Sequence, residues 1–197
     1  MTRSARGERV VTLSQSVDGL DVTDQACVDR ILAGIDGPFD TVIVALGILG
    51  TPEKSLREID AEQMAAVMAV NAIGPALILR HMPRLLAKGG KVAVLSARVG
   101  SIGDNRAGGW YSYRASKAAL NQLVKTASVE LSRVNAGSVC VALHPGTVET
   151  PFTRAFAGRH PMVTPDEAAT NLWRVVGNLT PEQTGGFFAY SGARVDW

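Results

Sequence analysis

Cysteine, histidine and aromatic residues are scarce in this chain of 197 residues, which has two Cys, three His and 6% Phe, Trp or Tyr. Cys27 and Cys140 lie far apart in apolar surroundings without CxxC spacing, and His81, His144 and His160 are dispersed. A disulfide framework and a metal centre are therefore not expected, and no residue is assigned to a metal. A net charge of +2 with no dense basic run offers nothing to nucleic acid or to a membrane surface. The chain shows no secretory segment and no apolar run of bilayer length, so a cytoplasmic location is expected. Internal repeats and low-complexity linkers are absent too. The most informative absence is a glycine-rich turn of the kind that cradles phosphates ahead of a helix.

What is present is an ordinary globular composition, 46% hydrophobic and 19% charged, long enough for one well-packed domain spanning 1–197. Short β-branched runs alternate with longer helical stretches, the pattern of an α/β parallel sheet covered by helices. Strands are predicted at Arg9 to Leu13, Thr41 to Ala45, Lys91 to Leu95, Ser138 to Leu143 and Gly186 to Tyr190. Helices are predicted at Asp24 to Ala33, Asp60 to Leu86, Tyr113 to Arg133 and Pro165 to Leu179, the last capped by Thr164 with Pro165 at its first position. Runs such as Val42-Ile43-Val44-Ala45 are apolar on both faces, as strands buried between two helical layers are. Pro83 should interrupt or end the long helix near its C-terminus, and Gly89-Gly90 should turn the chain into the next strand.

In such sheets ligands bind beyond the carboxyl ends of the strands. Ser96 follows one strand, and the turn His144-Pro145-Gly146-Thr147-Val148-Glu149-Thr150 follows another. Asn71 sits inside the long helix, where an amide is unfavourable unless something uses it. Tyr113 and Lys117 stand four apart on a predicted helix and share a face. An ammonium beside a phenol lowers its pKa from about 10 toward neutrality, which suits proton exchange with a carbonyl or alcohol oxygen. Taken singly, each of these features has an ordinary structural explanation.

Together they resemble the short-chain dehydrogenase/reductase family from about Val10 onward. The stretch Leu95-Ser96-Ala97-Arg98-Val99-Gly100-Ser101-Ile102-Gly103-Asp104-Asn105, continued by Gly108-Gly109-Trp110-Tyr111-Ser112-Tyr113, is similar to the C-factor and carbonyl-reductase-like branch. The resemblance implies a three-layer Rossmann-like sheet, lacking its first strand and helix, and an oxidoreductase using NADP or NAD on a small-molecule carbonyl or alcohol. It assigns the acid/base to Tyr113, its partner to Lys117, the holder of a relay water to Asn71, and the substrate-orienting hydroxyl to Ser96 or Ser101. Cofactor contacts fall on Asp21, Val22, Gly47, Lys117, Pro145, Gly146, Val148 and Thr150. It further implies a homodimer through helices 60–86 and 113–133, whose apolar residues occupy more than one face.

Three departures stand beside this. The family's opening strand, Gly-x-x-x-Gly-x-Gly turn and helix have no counterpart, and Gly7 cannot replace them. The missing strand is central in the family's order, so its loss is expected to leave a gap between two strands, to be filled by the N-terminal strand, by a neighbouring chain, or by residues upstream of Met1. Val44-Ala45-Leu46-Gly47 replaces Asn-Asn-Ala-Gly, and Ala97 stands where the second serine of a Ser-Ser pair is usual. A non-catalytic binding or signalling member of the fold, and a truncated gene model of an enzyme, are the alternatives. Residues Phe152 to Met162, with Phe156 and His160, are expected to cover the pocket.

Overall fold

A computed structural model describes residues 2–3, 9–150, 153 and 162–197. Four parallel strands form the central sheet: β3 (Phe39–Val44), β4 (Leu86–Leu95), β5 (Val139–His144) and β6 (Phe187–Ala189), adjacent in that order. Apart from it, β1 (Thr2–Arg3) pairs antiparallel with β2 (Arg9–Val10). The strand expected from Arg9 to Leu13 is thus shorter and does not enter the parallel sheet. No described strand pairs with the outer edge of β3, so in place of the gap expected between two strands the described sheet has an open edge there.

The helices are α1 (Gln15–Asp18), α2 (Gln25–Ala33), α3 (Ala61–Met68), α4 (Gly74–Leu79), α5 (Met82–Leu85), α6 (Tyr111–Val134) and α7 (Pro165–Asn178). Their starts follow side-chain chemistry: Asp24, Asp60 and Thr164 each accept a backbone N–H from the first turn of α2, α3 and α7. The single helix expected from Asp60 to Leu86 is instead α3, one π-helical turn at Ala69–Ile73, α4 and α5. It breaks at Arg80 and His81, and Pro83 lies in the first turn of α5, where its missing N–H costs no hydrogen bond. Ala61–Leu79 is long and apolar enough to cross a membrane by length and composition, contrary to the reading of the sequence. In the fold its Val67, Ile78 and Leu79 are buried against protein.

Gly89 and Gly90 do not precede β4 but lie inside it, where the register against β3 jumps from Phe39↔Leu86 to Thr41↔Lys91. This is an irregularity of the bulge type, and Gly89, at φ +70°, supplies the left-handed conformation. Alternate residues of the strands then build two cores. Val44, Val92, Val94, Cys140, Ala142 and Phe187 join Leu120 and Val124 of α6 on one side, while Ala93, Val141, Leu143 and Phe188 join Val175 and Val176 of α7 on the other. Beyond the carboxyl ends of β3, β4 and β5 this three-layer arrangement leaves a cleft.

Candidate active site

α6 brings the chemical groups to that cleft. Tyr113, Ser116, Lys117, Leu120, Asn121 and Val124 are all buried, which places them on the face turned to the sheet. Lys117 Nζ donates to the carbonyl oxygens of Leu95 at 3.1 Å and Leu46 at 3.4 Å, the ends of two strand segments. Gly47 is shaped to this ammonium, since a Cβ there would stand 3.3 Å from Nζ and 3.4 Å from Asn71 Oδ1. Asn71, in the π-helical turn, is fully buried. Its Oδ1 accepts from Ile48 N–H at 2.7 Å, and its Nδ2 donates to Ile48 O at 2.8 Å and Ser116 Oγ at 3.0 Å. The amide therefore fastens the loop after β3 to α6, which accounts for a polar residue in a helical stretch.

The electrostatics differ from the expectation of an acidified phenol. Burial pushes Tyr113 up to about 12 and Lys117 down to about 8. Nζ lies 5.9 Å from the centroid of the Tyr113 ring, over its face, and desolvation acts on both groups. At neutral pH Tyr113 is a protonated phenol and Lys117 an ammonium.

Ser96 lines the cleft, but its hydroxyl donates to Asn121 Oδ1 at 2.6 Å, a buried bond that ties the end of β4 to α6. Its proton is thus already committed, against the expectation that it would be offered to a substrate oxygen. Ser101 Oγ accepts from Asp104 N–H at 3.1 Å and braces its own turn. The turn after β5 follows the expected pattern of positions: Pro145, Gly146, Val148 and Thr150 all line the cleft. Gly146 adopts φ +82° and approaches the Tyr190 ring so closely that a Cβ would sit 3.0 Å from it. Thr150 is held by Thr153, whose Oγ1 accepts from Thr150 N–H at 3.1 Å. Asp21 and Val22 are not among the residues bordering the cleft: Asp21 accepts from the backbone and hydroxyl of Thr23, and Val22 packs beside Gly74. Phe152, Phe156 and His160, expected over the pocket, lie outside the described residues.

The cavity holds about 890 Å³, and apolar side chains dominate its wall: Val99, Trp110, Leu143, Ala168, Leu172 and Trp173 among them. Sequence reasoning missed two groups that set its geometry. Asn121 was findable, because it recurs with Tyr113, Ser116 and Lys117 on one helical face. Glu53, a buried residue of a loop that gave no periodic signal, was not.

A parallel sheet with a tyrosine and a lysine at the carboxyl ends of its strands defines a Rossmann-type oxidoreductase. The sequence family described as Enoyl-(Acyl carrier protein) reductase matches residues 3–190. A 1-hydroxy-2-glutathionyl-2-methyl-3-butene dehydrogenase from Rhodococcus is 36% identical over 182 residues, 91% of this chain and 79% of that protein. C-signal from Myxococcus xanthus is 36% identical over 163 residues, 82% of this chain and 94% of that protein. Among solved structures, an NADPH-bound carbonyl reductase from chicken fatty liver superposes with a TM-score of 0.78 at 27% identity, covering 90% of this chain and 75% of that one. The chain belongs to the short-chain dehydrogenase/reductase family, and it is an NAD(P)-dependent oxidoreductase.

Proposed function

We propose that this protein reduces the carbonyl of a mainly apolar aldehyde or ketone, with Tyr113 as proton donor. The observation that carries this reading is the buried, protonated Tyr113 beside Lys117 in an apolar cavity at the strand ends. A phenol kept neutral at pH 7 is ready to give its Oη proton to a carbonyl oxygen that gains negative charge.

The residues present suit the nicotinamide and ribose end of the cofactor. Gly47 leaves room against Lys117 Nζ, and the Pro145-Gly146 turn and Thr150 border the same cavity. Bound NADPH or NADH supplies the hydride. Lys117 Nζ would hold ribose hydroxyls and stabilise charge developing on Tyr113. Asn71 keeps the loop of Gly47 and Ile48 against α6, and with its side chain engaged on both ends it supports a relay water through position rather than through a free amide. Ser96 holds Asn121 and the strand end in place. The apolar wall excludes water from the reacting carbon and favours substrates with alkyl or aryl groups. Among the described residues, the phosphate end has no glycine-rich helix start to receive it.

A homodimer is part of the proposal. Leu123 and Val129 on α6 and Ile73 beside α4 are exposed, and apolar side chains on these helices suit a self-complementary interface. The two free, buried cysteines suit a cytoplasmic location, where thiols stay reduced. The test is oxidation of NADPH and NADH with a panel of aldehydes and ketones. Turnover by the wild type and its loss in Tyr113→Phe support the reading; equal turnover by both refutes it. Light scattering that gives a strict monomer refutes the dimer.

A further inference from the structure

The first turn of α6 presents a problem that its own sequence does not solve. The residue preceding the helix is Trp110, a non-glycine at φ +55°, and its side chain caps nothing. Backbone N–H groups at a helix start need acceptors, and the positive end of a 24-residue helix favours an anion. Both needs are met from a residue distant in sequence. Glu53, 2% exposed, accepts the Ser112 N–H with Oε1 and Oε2, each at 3.3 Å, and Oε1 also accepts the Ser112 hydroxyl. Its backbone carbonyl accepts the Trp110 N–H at 2.7 Å. Gly109 makes room for this contact, since a Cβ there would lie 3.2 Å from that same carbonyl oxygen.

Glu53 is in turn fixed by α3. Gln63 Nε2 donates to Glu53 Oε1 at 3.2 Å, and the same amide exchanges two bonds with the backbone of Thr51, at 2.8 and 3.0 Å. The continuation of α3 grips α6 a second time, through Asn71 and Ser116, and Ser116 Oγ donates to the Tyr113 carbonyl at 2.8 Å. Tyr113 is therefore bracketed, by Ser112 held from Glu53 on one side and by Ser116 held from Asn71 on the other. Burying a carboxylate is costly unless it is fully bonded. This one is bonded to the residue adjoining the proton donor.

We propose that Glu53 is a positioning residue for Tyr113: by capping Ser112 it sets where the phenol stands in the cavity. The inference rests on the reading that Tyr113 passes the proton. Misplacing a reacting group by an ångström costs on the order of 100-fold, so Glu53→Ala should lower kcat by about 10- to 100-fold. The cofactor KM should stay within about twofold, because the cofactor contacts lie on Lys117 and the Pro145-Gly146 turn rather than on the capped end of α6. Glu53→Gln keeps one acceptor for the Ser112 N–H and should restore part of kcat. Amide hydrogen exchange gives a readout independent of turnover: Ser112, whose N–H loses its side-chain acceptor, should exchange faster in Glu53→Ala, while Leu120, deeper in α6, stays protected.

If Glu53→Ala does not fold, Glu53→Gln and Ser112→Ala make the same comparison against wild type. Wild-type turnover with kcat unchanged in these variants overturns the positioning role. A purely structural role predicts lower melting temperature with kcat per folded molecule unchanged, and that result overturns it as well. Absence of turnover in the wild type refutes instead the reading of Tyr113 on which the inference rests.

Discussion

His144→Phe should remove much of the protein's sensitivity to mild acid. The imidazole sits at the end of β5, its Nδ1 is buried without a hydrogen-bond partner among the described residues, and its ring meets Tyr190 edge to face with centroids 6.4 Å apart. Burial pushes its pKa down to about 4, with the Arg98 charge adding to the effect. The unfolded chain, titrating near 6.5, binds the proton first as pH falls. Stability is thus intact above about 6.5, declines as pH falls toward about 4, and is flat with respect to this group below that. Linkage between those two values gives a loss of about 2 kcal/mol at pH 5 and about 3 kcal/mol at pH 4. Urea unfolding of wild type and His144→Phe at pH 7, 5 and 4 isolates the term, because the carboxylates contribute equally to both. The wild type should lose about 2 kcal/mol more than the variant between pH 7 and 5. Parallel pH dependence in the two proteins would refute the reasoning.

Lys117→Met should abolish reduction yet stabilise the fold. The buried ammonium is depressed to about 8, and relieving that penalty, less the bonds to Leu46 and Leu95, is worth about 1–3 kcal/mol at pH 7 by chemical denaturation. Because the folded protein releases this proton first, the wild type but not the variant should gain stability between about pH 8 and 10.5 from this group. Gly100→Ala should destabilise by about 1–3 kcal/mol, since the new Cβ would stand 2.6 Å from Lys117 Cβ and 2.8 Å from its carbonyl carbon. Ser96→Ala leaves Asn121 Oδ1 without its buried donor and should cost about 1–3 kcal/mol in stability while leaving Tyr113 in place, so turnover per folded molecule should change less than in Tyr113→Phe.

The parts of the fold legible in sequence were those written in local patterns. Asp24, Asp60 and Thr164 marked helix starts, whereas the run Val42-Ile43-Val44-Ala45, read as apolar on two buried faces, buries Val44 but leaves Ile43 exposed. Tyr113, Lys117, Gly47, Pro145, Gly146, Val148 and Thr150 could be placed near the strand ends by spacing and resemblance, and they border one cavity. What could not be read depended on distant partners. The hydroxyl of Ser96 is directed by Asn121 on another element, and Arg80 and His81, where the long helix breaks, both bond Asp29 of α2. Charge states were misjudged for the same reason. Spacing put an ammonium near a phenol, but desolvation, which only the folded environment determines, moved the two pKa values apart. Glu53 shows the limit most clearly, since its partner Ser112 lies 59 positions away.

The most direct measurement is the rate of carbonyl-dependent NADPH or NADH oxidation by purified wild type and by Tyr113→Phe, with unfolding curves confirming that both are folded. The account predicts turnover by the wild type and a loss of about 100-fold or more in the variant. A folded wild type that turns over none of the carbonyls with either cofactor, or a variant as fast as the wild type, would contradict it.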